Sequence, residues 1–127
     1  VIGDEGRLRL VMHQPGLLRP LETAELSDGT LRYLLLCAAL LAAHPGPLIV
    51  LNEPEASLHP DLLDPLAELV VTASERSQVV VVTHAERLAT ALEHAGAMTH
   101  RLRADAGGTV IDGQGMLDRP AWHWGAR

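Results

Sequence analysis

A chain of 127 residues that is 47% hydrophobic is enough polymer for one core, burying roughly two-thirds of the surface its unfolded form exposes. Its net charge is −6 and all ten basic residues are arginine, a composition that disfavours nucleic-acid binding by this segment itself. The longest apolar run, Tyr33 to Ala43, is far shorter than the roughly 18 residues of a membrane span, and the single Cys37 allows no internal disulfide, so a reducing, cytoplasmic setting is expected and no membrane partner.

In chain order, alternation in "RLRLVMHQ", Arg7 to Gln14, predicts a half-buried strand with Leu8, Leu10 and Met12 on one face, stopped by Pro15-Gly16. The stretch "AELSDGTLRYLLLCAALLAA" predicts a helix capped by Ser27 and Asp28 and closed by Pro45-Gly46-Pro47. It is apolar on nearly all sides beyond Tyr33, so it is expected to be sandwiched within the core. Leu48 to Leu51 reads as a strand buried on both faces of a parallel sheet. Pro60 and Asp61 then open an amphipathic helix carrying Leu62, Leu63, Leu66, Leu69 and Val70. Val79 to Val82 reads as a second buried strand and Ala85 to His94 as a third helix. Strand, helix, strand, helix is the order of βαβ units in an α/β fold with a parallel sheet. "MTHRLRA" and "TVIDG" around Asp105 to Gly108 predict a β-hairpin at the sheet edge, within a C-terminal hairpin and tail spanning 98–127.

Both buried strands end on polar residues, the first on Asn52-Glu53 and the second on Thr83-His84. In an open α/β sheet, ligands bind at the carboxyl ends of parallel strands, so Glu53 and His84 are candidates to share one crevice. "LSDGT", Leu26 to Thr30, adds a serine, a glycine and free backbone N–H groups at a helix start, an arrangement that can bind phosphate. Each feature alone has an ordinary structural reading. Ser-Asp-Gly before a helix is a common cap, Glu53-Pro54 a common turn, and an acidic Asp61 after Pro60 suits any helix N-terminus.

Taken together, in this order and spacing, the stretches resemble the C-terminal half of ATP-binding-cassette-type ATPases. More narrowly they are similar to the AAA-family ATPases related to RecF and the structural-maintenance-of-chromosomes proteins. "LSDGT" (26–30) matches the signature loop, "LIVLNE" (48–53) the Walker B strand, "ASLHPD" (56–61) the D-loop and "VVVVTH" the strand that ends on the switch histidine, His84. The resemblance covers about residues 22 to 95. It implies a P-loop NTPase C-terminal lobe with parallel strands, flanking helices and an edge hairpin, 1–127 being the C-terminal portion of one ATPase domain.

The same resemblance implies ATP and Mg2+ as ligands and a head-to-tail homodimer as the working form. Glu53 would be the general base and His84 would contact the γ-phosphate. Ser27, Asp28 and Gly29 form the signature loop, in which Ser27 and Gly29 would bind the γ-phosphate of ATP held by the second subunit. Ser57 and Asp61 would line the interface. DNA association, if it exists, would come through regions other than this one.

Three departures from the family pattern stand out. Asn52 occupies the place of the usual aspartate of the magnesium shell, where an amide oxygen can still accept a bond from metal-bound water. Asp28 replaces a glycine common in transporter signatures. The third departure is that the chain has no lysine and no G-x-x-x-x-G-K-[ST] pattern. Together with Val1 as first residue, this sets the expectation of a C-terminal fragment whose earlier portion carries Walker A. Alone, the 127 residues would then be inactive.

An ATPase is therefore the first expectation. An ATP-gated dimerisation switch or clamp with little or no hydrolysis is the alternative, and a free-standing interaction module a third. The seven histidines are scattered without zinc-like spacing. "WHW" at 122 to 124 is expected to anchor the tail, and Arg101 and Arg103 to guard an edge strand.

Overall fold

The computed structural model describes residues 2–4, 7–105 and 108–113, in two compact units, Val1–Gly96 and Ala97–Arg127. The first unit opens with two short antiparallel pairs. Strand β1 (Ile2–Asp4) pairs with β2 (Arg7–Arg9), and β3 (Val11–Met12) pairs with β4 (Leu21–Glu22). The single strand expected from Arg7 to Gln14 is thus broken at Leu10. The chain changes partner there, and the Leu10 carbonyl accepts from Thr23 Oγ1 at 2.9 Å instead of continuing a ladder. Alternation in sequence marks an extended chain but not which neighbour it pairs with.

A 3-10 turn, Thr23–Glu25, leads into the first helix. Arg19 grips Glu25 through two bonds of 2.8 and 2.7 Å, while Glu25 Oε2 also accepts from the Glu22 amide at 2.9 Å. The Arg19 bond, then that amide, hold the Glu25 carboxyl down at about 2. Helix α1 (Asp28–Leu40) starts at Ser27, whose Oγ accepts from the Thr30 amide at 3.1 Å as an N-cap should. It ends at Leu40, where Arg76 donates to Leu40 O at 3.4 Å and, just past the helix, to Ala42 O at 3.1 Å. A cation at a helix C-terminus satisfies orphan acceptors and complements the dipole.

The centre of the unit is a parallel pair, β5 (Leu48–Asn52) and β6 (Gln78–Val82), in register from Leu48↔Gln78 to Asn52↔Val82. Between them the chain runs through a 3-10 turn, Pro60–Leu62, and helix α2 (Leu63–Ser74); α3 (Glu86–His94) follows β6. Leu51 lies in a core with Leu40 of α1, Leu66, Ala67, Val70 and Ala73 of α2, and Leu88 and Leu92 of α3. Two ties close the other end of the strands: Ser77 Oγ donates to Gly46 O at 2.7 Å and the Gln78 amide to Pro47 O at 2.9 Å.

Two burial expectations are corrected. Exposure alternates along both strands, with Leu48 at 52%, Val50 at 59%, Val80 at 42% and Val82 at 49%. The helices cover the Ile49/Leu51/Val79/Val81 face, and no described element of the first unit covers the other. Helix α1 is likewise not sandwiched: Leu40 is its one fully buried described residue, and Leu35 is 71% exposed. Apolar composition on two faces shows that both tolerate burial, but it cannot say that this chain supplies both covers.

In the second unit, β7 (Leu102–Asp105) and β8 (Gly108–Ile111) form the expected antiparallel hairpin, its strands pairing with each other. Arg103 Nε donates to Asp112 Oδ1 at 2.8 Å, and Arg101 lies just before β7, not within it. Trp122 and Trp124 fall outside the described residues.

The one-sided core makes a prediction. Leu66→Ala should cost about 2–5 kcal/mol of stability, and Val50→Ala, on the open face, no more than about 0.5 kcal/mol, both measured by urea unfolding. Equal losses would contradict the burial pattern.

Candidate functional site

Parallel pairing delivers two polar turns to the same end of the sheet. Asn52 is the exposed last residue of β5, and the Glu53 amide still reaches across to Val82 O at 2.8 Å, one step beyond the strand. There the chain turns sharply. Glu53 sits at φ 45° and Ser57 at φ 65°, a left-handed conformation that side-chain-bearing residues adopt seldom and at a cost of order 1–3 kcal/mol. The turn is closed by the Ala56 amide donating to Glu53 O at 3.1 Å and the Leu58 amide to Glu55 O at 3.0 Å. Pro54 is buried beneath it, so the Glu53 carboxylate is held out into solvent on a stiff support.

Across from it, β6 ends at Val82 and runs through Thr83 to His84. His84 Nδ1 lies 3.7 Å from Glu53 Oε1 and 3.4 Å from Glu55 Oε1. Glu55 is only 8% exposed. Its Oε1 accepts from Thr83 Oγ1 at 2.6 Å, the His84 amide at 3.2 Å and the Ala85 amide at 3.3 Å. Burial alone would push this carboxyl up; the bonds from Thr83 and from backbone amides, those of His84 and Ala85 among them, outweigh it and hold the group below its ordinary range.

The start of α1 joins the site from a third direction. Arg32 Nη2 donates to the Glu53 carbonyl at 2.8 Å, and a Cβ built on Gly29 would collide with the Ser57 carbonyl oxygen. A glycine is thus required for the helix start and the 53–58 turn to lie against one another. Ser27 Oγ is shared between the Thr30 amide and the Thr30 hydroxyl, 2.9 Å away. Asp28 is exposed in the first turn.

The structure thus brings Glu53 and His84 together, with Asn52 next to Glu53 in the chain, and packs Gly29 on Ser57. Ser27 and Asp28 stand beside Gly29 at the helix start. Asp61 lies apart, on the exposed 3-10 turn, where its carboxylate is 3.4 Å from His59 Nδ1. Sequence reasoning missed Glu55 and Arg32, and marked Thr83 only as part of a polar strand end. Arg32 had a signal, being the one charge between Asp28 and Ala43. So did Glu55, a second carboxylate two residues past Glu53 in a turn. Among the described residues no cluster of three or more His, Cys, Asp or Glu could hold a metal by itself, and no helix is long and apolar enough to cross a membrane.

The family model described as "AAA domain, putative AbiEii toxin, Type IV TA system" matches residues 2–88. A solved structure from work on the structural biochemistry of ATP-driven dimerization and DNA-stimulated activation of SMC ATPases has the same fold. Its TM-score is 0.67 at 16% identity, over 90% of this chain and 69% of that one. No curated protein sequence matches significantly. The α/β architecture with its parallel pair is accordingly that of the SMC-like P-loop ATPases.

The contact between helix start and turn can be tested. Gly29→Ala should destabilise the chain by about 1–3 kcal/mol and shift the backbone amide resonances of Ser57 and Leu58. Unperturbed Ser57 and Leu58 signals would contradict the close approach.

Proposed function

The chain belongs to the AAA-domain family of P-loop ATPases, and from that premise we propose that it is the signature and Walker B half of an ATP-hydrolysing site that becomes complete in a dimer. The observation that carries this reading is the juxtaposition of Glu53 and His84, 3.7 Å apart at the carboxyl ends of two paired parallel strands.

In this reading Glu53 orients and deprotonates the attacking water. Its carboxylate is half exposed and free to reach a ligand, while its backbone is fixed by Val82 and Arg32. His84 stands beside it to contact the γ-phosphate and respond to its departure. The start of α1, with Ser27 and Gly29, presents backbone N–H groups to the nucleotide of a second subunit. Ser57 and Asp61, both exposed, line that interface.

Magnesium fits in an outer-sphere role. The donors at the strand end are the Asn52 amide oxygen and the Glu53 carboxylate, too few for a protein cage but suited to an ion that keeps several waters and takes substrate phosphates. When bound it would neutralise charge on the nucleotide phosphates. The phosphate-cradling lysine must come from outside these 127 residues, since the chain has none, and the −6 charge leaves any DNA contact to other parts of the assembly. Asn52 in place of an aspartate favours a second reading, an ATP-gated dimerisation switch with slow turnover.

In the ATPase completed by its Walker A segment, Glu53→Gln should lower kcat by about 10²–10⁴-fold while ATP-dependent dimerisation persists. Asn52→Asp should raise kcat. Unchanged turnover in Glu53→Gln would remove Glu53 as the base.

A further inference from the structure

Among the described residues Glu55 is the buried ionisable group that the reaction as proposed does not use, and its bonding is lopsided. One oxygen, Oε1, accepts from Thr83 Oγ1 at 2.6 Å, the His84 amide at 3.2 Å and the Ala85 amide at 3.3 Å, with His84 Nδ1 3.4 Å away. The other, Oε2, is buried without a hydrogen-bond partner among the described residues. A carboxylate left half unsatisfied is costly in an interior. Its retained oxygen serves one segment only, residues 83 to 85.

That segment has no regular structure of its own, lying between β6 and α3. Thr83 Oγ1 completes a closed loop of bonds by also accepting from the Ala85 amide at 3.0 Å. Two of the three Glu55 bonds are to backbone amides flanking the His84 Cα, and they therefore set where the imidazole starts from. Glu55 itself is fixed by the turn that carries Glu53, through the Leu58 and Ala56 amides. One buried side chain thus mechanically joins the Glu53 turn to the His84 segment, and charge-assisted bonds of this kind are about twice as strong as neutral ones.

We propose that Glu55 is a positioning residue that latches the His84 segment to the Glu53 turn, setting the spacing of the two groups during ATP hydrolysis. This rests on the reading of Glu53 and His84 as the hydrolytic pair. Glu55 acts on His84, through the backbone amides on either side of its Cα and through the Nδ1 that lies 3.4 Å from Oε1. The latch sets kcat and leaves ATP affinity to the parts that hold the nucleotide.

The test uses the ATPase completed with its Walker A segment, with rates expressed per folded site. Glu55→Ala should lower kcat about a hundredfold, the scale of an ångström-sized misplacement, with KM for ATP within about twofold. Glu55→Gln, which keeps an acceptor oxygen but not the charge, should recover part of that loss. Hydrogen exchange at the His84 and Ala85 amides should accelerate in Glu55→Ala far more than exchange in α2. Should Glu55→Ala fold poorly, Thr83→Val removes the shortest bond without opening a cavity and should lower kcat about tenfold at constant KM.

A wild-type kcat in Glu55→Ala, or a loss carried entirely by KM, overturns the latch. If Glu53→Gln stops turnover in the same preparation while the latch variants match wild type, the latch alone is wrong. If Glu53→Gln leaves turnover intact, the hydrolytic pair is wrong and the positioning role falls with it.

Discussion

The parallel ladder from Leu48↔Gln78 to Asn52↔Val82 decides where the polar chemistry of this chain ends up. Because the strands run the same way and finish level, the residues just past each of them, Glu53 on one side and Thr83-His84 on the other, must emerge side by side. An antiparallel pair would have sent them to opposite ends. Register matters as much as direction, since a one-residue slip would turn each side chain to the opposite face. The ties at the opposite end, Ser77 to Gly46 and Gln78 to Pro47, hold that register where the strands begin.

Around this ladder the first unit packs its helices on one side. Helices α2 and α3 pack Leu66, Val70, Leu88 and Leu92 against the strands, and Arg87 joins the two helices through Asp64 at 2.6 and 3.1 Å. The stiff core positions the backbone, and the strained turn at Glu53 and Ser57 projects the functional groups from it. That division of labour is physically reasonable: burial supplies the stability that a strained, partly solvated site consumes. Arg32 and the close approach of Gly29 to Ser57 extend the coupling to the start of α1, so a ligand met by that helix end would act on the same turn.

Much of this was legible in the sequence. The continuous Val/Leu runs located β5 and β6 to within one residue, and Pro60 marked the entry to α2. The hairpin around 105–108 followed from its glycines and alternation. Glu53 and His84 stood out because each follows an apolar strand. What was not legible depends on partners distant in the chain. The partner change at Leu10 rests on Thr23, thirteen residues on. The side chain that caps the end of α1 is Arg76, more than thirty residues away. Glu55 could be read only as one of several carboxylates in a turn until the fold put Thr83 against it. The open face of the strands was hidden for another reason, since hydrophobicity reports what a surface prefers and not what covers it.

The claim on which the functional account stands is that these residues form half of a nucleotide site and need a lysine-bearing Walker A from elsewhere. Magnesium-dependent ATP turnover, measured on the 127-residue chain alone and after joining it to a Walker A segment, tests this most directly. The account predicts no turnover by the chain alone and measurable turnover once the segment is supplied. Turnover by the isolated chain would contradict it.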